Sequence, residues 1–198
     1  LEELPPEPSE QDTLDIPAGA DVDAFLGLVA TTFLRAQPDR EAAFRNPPLS
    51  TRHLLSPRDY RAGVRPERLH GPAPDLPDCT PLEDASVGPA ALLRLVARAG
   101  GEVRVAPLVA WRGDRAVQLA CGEGGSPWIY VADFDDPRSA EAFAVQLEAF
   151  LPGGLPRPFT HLVASRRVLA WHDVAREQAL AWAGGLEPIE LRSLEQLE

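Results

Sequence analysis

The sequence predicts an α+β fold in which helices pack on one face of an antiparallel sheet. Short apolar segments of strand length occur between residues 103 and 171 and are bounded by turn residues. Amphipathic segments with capping residues precede, separate and follow them, as expected for helices. With 198 residues and 44% hydrophobic content, the chain has the size and composition of one domain with a substantial core. The predicted order after residue 86 is α-β-β-β-α-β-β-α, preceded by an N-terminal helix and a long Pro-rich loop.

The first 20 residues are acidic, rich in proline and nearly free of aromatic residues, a composition typical of an extended arm or tether. The chain begins at Leu1 rather than at methionine, so we expect either that an N-terminal segment was removed in the cell or that the sequence was trimmed at this end. After the arm, apolar residues recur at helical spacing from Val22 to Phe33, and Asp21 is the candidate N-cap. We therefore expect one helix directly after the arm.

Residues 38–86 have recurring prolines and poor periodicity, which predicts a long irregular segment. One short helix is predicted to start at Ser56-Pro57, where Asp59 completes the spacing of a capping box. Long loops in a compact domain are usually functional or disordered, so this segment is the first candidate for a partner-binding surface. The predicted organisation has three parts: an acidic arm at 1–20, a helix and Pro/Arg-rich segment packed on the domain at 21–85, and an α+β core at 86–198.

Capping and turn residues become frequent after residue 86. Ser86 or Gly88 is expected to begin a helix, and Gly100-Gly101 to end it. Turns are expected at Gly113-Asp114 and at Gly122–Gly125, which makes the intervening segments an antiparallel meander. The predicted meander strands are Val103–Trp111, Arg115–Cys121 and Trp128–Phe134.

A helix, a hairpin and a last helix are predicted after the meander. Asp136-Pro137 provides an N-cap and a first-turn proline, and Pro152-Gly153-Gly154 is expected to end that helix. The hairpin is expected to pair Thr160–Ala164 with Val168–Trp171. Asp173 is the expected N-cap of the last helix.

The order of elements over residues 86–185 resembles that of the small chaperones of type III secretion, which are also acidic. The resemblance lies in the topology alone, because no residue motif accompanies it. It implies a cytoplasmic adaptor that dimerises through its sheet.

The formal net charge of −11 would repel a phosphate backbone, which argues against nucleic acid as a partner. Residues 1–24 carry eight acids and no base, whereas residues 35–68 are rich in arginine. The arm could lie on the arginine-rich segment, each could meet a different partner, or both could be solvated. No apolar run approaches the roughly 20 residues needed to cross a bilayer. A membrane is therefore expected to be reached only through an anchor that preceded Leu1.

The two cysteines are candidates for a disulfide. Cys79 lies in a proline-rich stretch and Cys121 at the end of a predicted strand, so a bond between them would pin the irregular segment to the sheet. Two unrelated thiols, one buried and one exposed, are the alternative. Without a CxxC pair, neither a structural zinc site nor a thioredoxin-type centre is expected.

Two groups of residues are candidates for chemistry. The carboxylates of Asp133-Phe134-Asp135-Asp136 have a spacing that could hold calcium or magnesium, but a helix N-terminus also explains acids at this place. His161 and His172 lie on the two strands of the predicted hairpin and could face each other, with Ser165 and Asp173 nearby. No phosphate-binding loop motif is present, and we expect no cofactor and no metal.

The leading hypothesis is a non-catalytic binding, sensor or accessory domain that works outside the cytoplasm, in the periplasm or at the cell surface, through contacts with a protein partner or as a homodimer. The alternatives are a cytoplasmic dimeric adaptor that resembles the secretion chaperones, and a hydrolase with a site of His161, His172 and residues 133–136. The expected partner surface comprises the arginines of the irregular segment, which are Arg52, Arg58, Arg61, Arg65 and Arg68.

Overall fold

The computed structural model describes residues 15–16, 20–98, 103–122, 124–149 and 160–191, and it confirms the α+β class. The first elements in chain order are strand β1 (Asp15–Ile16), helices α1 (Val22–Ala36), α2 (Arg40–Arg45), α3 (Thr51–Leu55) and α4 (Pro57–Arg61), and strands β2 (Glu67–His70) and β3 (Cys79–Ala85). They are followed by α5 (Gly88–Arg98), β4 (Val103–Arg104), α6 (Ala106–Val109), β5 (Trp111–Cys121), β6 (Trp128–Phe134), α7 (Pro137–Ala149), β7 (Thr160–Ala164), β8 (Arg167–His172), α8 (Arg176–Gly184) and β9 (Glu187–Glu190). Among these described helices, none combines the length and the apolar character needed to span a membrane.

Three predicted helix starts are confirmed by capping contacts. A side-chain oxygen of Asp21 accepts hydrogen bonds from two first-turn amides of α1 at 3.0 and 3.1 Å. The Ser56 hydroxyl accepts from the amide of Asp59 at 3.4 Å at the start of α4. Asp136 accepts from the amide of Ser139 at 2.9 Å at the start of α7, and this bond holds the pKa of Asp136 below its usual range. Each cap satisfies amides that have no partner within the helix.

Five strands form the central antiparallel sheet in the order β3-β5-β6-β8-β7. Strand β6 lies in the middle, and its residues Ile129, Val131, Ala132 and Phe134 are 0% exposed. Two short ribbons accompany the sheet, because β1 pairs with β4 and β2 pairs with β9. The β2–β9 ribbon packs across β5.

Helices cover both faces of the sheet, whereas the sequence predicted helices on one face. On the first face, residues such as Tyr130 and Phe134 pack against α1, α5, α6 and α7. On the second face, Val117 and Trp171 pack against Trp182 of α8 and against β2. The cause is that β6 is buried along nearly its whole length, so each of its faces needs its own cover.

The structure does not form the predicted three-strand meander. Residues 103–111 contain the two-residue strand β4 and helix α6, and β5 runs without a turn through Gly113-Asp114. Gly113 has a different role there, because a Cβ atom at this position would lie 2.2 Å from the carbonyl oxygen of Glu67 in β2. The glycine therefore allows β2 to cross β5 closely. The element order that resembles the secretion chaperones is consequently not the observed order.

The irregular segment also differs from its prediction. Residues 38–86 contain three short helices and two strands, and β3 forms one edge of the central sheet. Each of these elements has between four and seven residues, which is too short for a clear hydrophobic period. Five consecutive residues of β3 are exposed, so its sequence lacks the alternation that marks a strand with one buried face.

The cysteine pair occurs as predicted, although Cys79 begins a strand rather than lying in a loop. Cys79 and Cys121 face each other on β3 and β5 at bonding distance, with their Cα atoms 4.2 Å apart. The Cys121 amide bonds to Gly125 on the opposite side of β5, so the cysteines occupy a non-hydrogen-bonded pair, where opposing side chains are closest. A link between positions 42 residues apart constrains the unfolded chain by about 4 kcal/mol in the loop-entropy model.

Prolines protect two exposed strand edges. Pro81 of β3 lies opposite Leu119, whose amide points away from β3 and bonds to Pro127. Because opposing residues that do not bond to each other point their amides away from the partner strand, the nitrogen of Pro81 faces outward. In the β2–β9 ribbon the Leu191 amide bonds to the Pro66 carbonyl, and the alternation along the ladder then makes the nitrogen of Pro188 face outward as well. These positions cost the sheet no hydrogen bond and remove a donor from each free edge.

Helix α8 begins later than predicted. It starts at Arg176 after Ala175, and Asp173 is not its N-cap. Asp173 instead has a φ of 53° in the turn that follows β8, a left-handed conformation that aspartate tolerates. Its carboxylate lies 3.2 Å from Nε2 of His172.

The predicted acidic arm at 1–20 lies mostly outside the described residues, as do the predicted helix ends at Gly100-Gly101 and Pro152-Gly153-Gly154. The described part of the arm is fixed to the core at one place. Asp15 and Ile16 pair with β4, and Ile16 is 2% exposed within the apolar cluster of the first face.

A buried carboxylate connects α5 with β5 and β6. Asp114 is 0% exposed and accepts hydrogen bonds from the Ser86 hydroxyl at 2.6 Å, the Val87 and Gly88 amides at 2.9 Å and the Tyr130 hydroxyl at 3.1 Å. Burial raises the pKa of Asp114, and the donated bonds counteract this shift. Burial beside Asp114 also raises the pKa of Tyr130, so its hydroxyl stays protonated and donates. Asp114 thus caps α5 from a neighbouring strand.

Replacing this carboxylate by an amide should destabilise the fold. In Asp114→Asn the amide nitrogen would replace an oxygen that accepts from two of the four donors, one of them a backbone amide that would lose its acceptor, and we expect a loss of about 2–4 kcal/mol in the free energy of unfolding. Urea denaturation measures it. The exposed Asp75→Asn is the control and should stay within about 0.5 kcal/mol of the wild type. Equal midpoints for the two variants would contradict the assigned role of Asp114.

Candidate functional site

Arg52 of α3 has a buried guanidinium whose N–H groups are all used. Nε and Nη2 donate to Asp59 at 3.0 and 2.9 Å, and Nη1 and Nη2 donate to the two carboxylate oxygens of Asp135 at 3.1 and 2.6 Å. Nη1 also donates to the carbonyl of Trp111 at 3.0 Å. Arg52 was expected on the partner surface, but its side chain is 5% exposed and binds α3 to α4, to β5 and to the residue after β6. Its role is therefore structural.

His53 fixes the chain on the other side of α3. Its Nδ1 accepts a hydrogen bond from the Leu49 amide at 3.2 Å, and its Nε2 lies 2.7 Å from the carbonyl oxygen of Val64. Both contacts are made at once only by a neutral ring with its proton on Nε2. Burial lowers the pKa of His53, and the charges of Arg52 and Arg65 lower it further, so the neutral form is favoured.

Three of the predicted arginines lie on this anchored segment with exposed side chains. Arg58 and Arg61 lie on α4 and Arg65 follows it, and all three are exposed. Within the described part of the chain, no residue forms a hydrogen bond or an ion pair with the side chains of Arg58 and Arg65. We call Arg58, Arg61 and Arg65 the arginine surface.

The fifth predicted arginine belongs to a different contact. Arg68 is half-buried on β2. Nε and Nη2 of Arg115 bind the carboxylate of Asp84 on β3 at 2.9 and 2.7 Å, which holds the pKa of Asp84 below its usual range, and the charge of Arg68 adds to this effect. Arg68 therefore contributes to the electrostatics of strand β3.

An open cleft of about 450 Å³ lies beside the arginine surface, and Arg65 forms part of its wall. Arg112 and Asp135 also line the cleft, and both are paired. Arg112 donates through Nε at 3.1 Å and through Nη2 to Glu67, which raises the pKa of Arg112, and Asp135 is bound by Arg52. Arg65 and Glu190 are exposed charged residues in the wall of the cleft, and neither forms an ion pair with a described residue. The cleft therefore offers one cation and one anion to a ligand.

Phe44 is an exposed apolar residue on α2, the helix that precedes α3 and α4. It is 73% exposed on α2, and the Tyr60 hydroxyl of α4 donates to the carbonyl of Asn46 at 2.5 Å, which holds the end of α2 against α4. Phe44 was not among the predicted site residues, because α2 has only six residues and shows no clear hydrophobic period.

The aspartates at 133–136 serve separate structural contacts. Asp133 is bound by Arg167 at 2.6 and 2.7 Å, Asp135 is bound by Arg52, and Asp136 caps α7. In the ranges that the structure describes, no group of three or more His, Cys, Asp or Glu residues could hold a metal ion. The helix N-terminus and the arginine pairs thus account for the acids at this place.

The histidines do not converge on these aspartates. In the ladder of β6 and β8, Asp133 is opposite Arg167 and Trp128 is opposite His172, so Asp133 and His172 lie at opposite ends, roughly 17 Å apart along β6. The register places His161 opposite Ala170 and not opposite His172. The side chain of His161 lies outside the described part of the structure. The described residues therefore do not assemble the pocket that the hydrolase alternative requires.

No protein-family model, curated protein or solved structure matches this chain. The arginine surface, Phe44 and the charged cleft are therefore interpreted from their own geometry.

The neutral state of His53 predicts a pH dependence of stability. The pKa of His53 is lower in the folded protein than in the unfolded chain, where it is about 6.5. The stability that the neutral ring contributes is therefore fully present above about pH 6.5 and is lost as the pH falls through the folded pKa. We expect wild-type protein to lose stability relative to His53→Gln between about pH 7 and pH 5, by about 1.4 kcal/mol for each unit of lowering. Urea denaturation across this range measures it.

The exposed histidine His70 provides the matched control. His70→Gln should keep the pH dependence of the wild type. Parallel stability curves for the wild type and His53→Gln would show that the ring is not held in its neutral form.

Proposed function

We propose that this protein is a non-catalytic binding domain that acts outside the cytoplasm and docks an acidic segment of a protein partner on the arginine surface. The observation that carries the proposal is the exposure of Arg58 and Arg65, without an ion pair to any described residue, on a segment anchored by Arg52 and His53. Guanidinium groups bind carboxylates in a bidentate manner. An anchored surface also loses less conformational entropy on binding than a flexible loop does.

Phe44 supports the choice of this surface. Binding energy in protein interfaces is concentrated on a few aromatic and arginine side chains that become buried in the complex. Phe44 is 73% exposed on α2, whose end is held to α4 by the Tyr60 hydroxyl, and its burial by a partner would remove apolar area from water. A partner segment that carries carboxylates beside an apolar side chain would satisfy both groups.

The closed strand edges favour recognition by side chains. Extended peptides often bind by adding a strand to an open sheet edge, where main-chain donors and acceptors are available. On β3 and β9, Pro81 and Pro188 remove an outward donor, and the register of β3 shifts between Pro81 and Glu83. Side-chain docking on the arginine surface avoids these protected edges.

The paired cysteines support a location outside the cytoplasm. Disulfides persist in oxidising compartments and are rare in the reducing cytosol. The pair joins an exposed edge strand to the central sheet, where it would be accessible to cytosolic reductants. The cytoplasmic adaptor and the hydrolase remain predictions for which we find no specific supporting contact.

The binding test replaces the arginine surface and keeps the core. The triple variant Arg58→Ala/Arg61→Ala/Arg65→Ala should lose partner binding by about tenfold or more, because each interface arginine contributes on the order of 1 kcal/mol. The partner is captured from the native source by immobilised wild-type protein, and its affinity for each variant is then measured by titration.

A matched control changes the same number of charges elsewhere. Arg138, Arg166 and Arg176 are exposed and lie outside the arginine surface. The variant with alanine at these three positions should bind the partner like the wild type, and both triple variants should unfold at the wild-type urea midpoint. Equal loss of binding in the two variants, or none in either, would overturn the proposed docking surface.

A further inference from the structure

We infer that the acidic residues 1–14 of this chain occupy the arginine surface until a partner displaces them. The inference rests on the proposed function, because residues 1–14 would compete with the protein partner for the same arginine surface. The two claims fail separately, since occupancy by the arm is measured without a partner.

Charge complementarity identifies the arm as the occupant. Residues 1–14 carry five carboxylates and no basic residue, and the carboxylates are Glu2, Glu3, Glu7, Glu10 and Asp12. Arg58 and Arg65 offer two exposed guanidinium groups that form no ion pair within the described residues. Prolines in the arm lower the entropy that it loses on docking.

The arm is attached on the same side of the sheet as the arginine surface. Ile16 and Leu55 belong to the same apolar cluster, and α3, which ends at Leu55, continues into α4 after one residue. Strand β4, the partner of β1, precedes α6 by one residue, and α6 packs against α3. Fourteen residues reach up to about 46 Å when extended, whereas a domain of this length has a radius of gyration of about 16 Å. The arm can therefore reach α4.

The expected interaction is weak enough to be displaced. An exposed ion pair contributes about 0.2–1 kcal/mol, so two or three of them give a modest affinity. A short tether, however, holds its segment at an effective concentration in the millimolar range. Three pairs at the upper value correspond to a dissociation constant of about 6 mM, so the arm would occupy the surface for up to about half of the time, and a partner with an additional apolar contact would displace it.

The test uses phenylglyoxal, which modifies accessible arginines, on the complete chain without a partner. The modification rate of each arginine is measured by mass spectrometry in the wild type and in a variant whose five arm carboxylates are changed to Gln or Asn. We expect Arg58 and Arg65 to react up to about twofold faster in the variant. The exposed Arg138 and Arg176 should react at the same rate in both proteins, and about 1 M salt should remove the difference by screening.

The C-terminal segment supplies the competing explanation and its control. The Leu191 amide donates to the carbonyl of Pro66 at 2.9 Å, so the last described residue lies beside the residue that follows Arg65. The variant Glu195→Gln/Glu198→Gln should therefore leave the reactivity of Arg58 and Arg65 at the wild-type level. Unchanged rates in the arm variant, or faster rates only in the C-terminal variant, would overturn the inference. If the arm effect is found but the arginine variants keep their partner affinity, the docking function fails and the inference stands.

Discussion

The buried guanidinium of Arg52 is the interaction on which the arginine surface depends. Helices α3 and α4 have five residues each, too few for stable helices in isolation. Arg52 joins them to Asp59, to Asp135 after β6 and to the Trp111 carbonyl of β5, and these contacts use its whole donor fork. A lysine has three donors on one nitrogen and could not bind two carboxylates and a carbonyl in this planar arrangement. The side chains of Asp59 and Asp135 are 23% and 40% exposed, so removing either acid destabilises the segment mainly because the Arg52 guanidinium stays buried with fewer partners.

Two other arginines stabilise the fold in the same way, by binding a carboxylate and a backbone carbonyl at once. Arg115 binds Asp84 of β3 and donates to the Gly71 carbonyl at 2.8 Å. Arg167 binds Asp133 of β6 and donates to the Ala183 carbonyl of α8 at 2.6 Å. Each guanidinium thus connects two strands to a third segment. All 19 of the strongly basic residues are arginine, a bias typical of a GC-rich genome. In this fold the bias has a structural use, since these contacts require the bidentate geometry of arginine.

Local signals in the sequence were sufficient to predict the helices that begin at Asp21 and Asp136 and the hairpin of β7 and β8. They were insufficient to predict the structure wherever a long-range contact determined it. Asp21 and Asp136 cap their helices because capping is settled within four residues. Gly113-Asp114 has the composition of a turn, yet the glycine accommodates a crossing strand and the aspartate caps a helix that begins 26 residues earlier. Arg52 could not be distinguished from the exposed arginines, because the burial of a charge depends on the distant Asp135. That this segment carries a partner surface therefore stays a prediction, and the structure removes Arg52 from the residues that could form it.

Amide hydrogen exchange over residues 51–64 tests most directly whether Arg52 anchors the segment that carries the arginine surface. The Ser56, Ala62 and Val64 amides donate to carbonyls within this segment at 2.7, 2.8 and 3.0 Å. The account predicts that these amides are protected in the wild type and lose protection in Arg52→Lys and in Asp135→Asn, while the amides of β6 stay protected in all three proteins. Unchanged protection of residues 51–64 in both variants, or fast exchange there in the wild type, would contradict it.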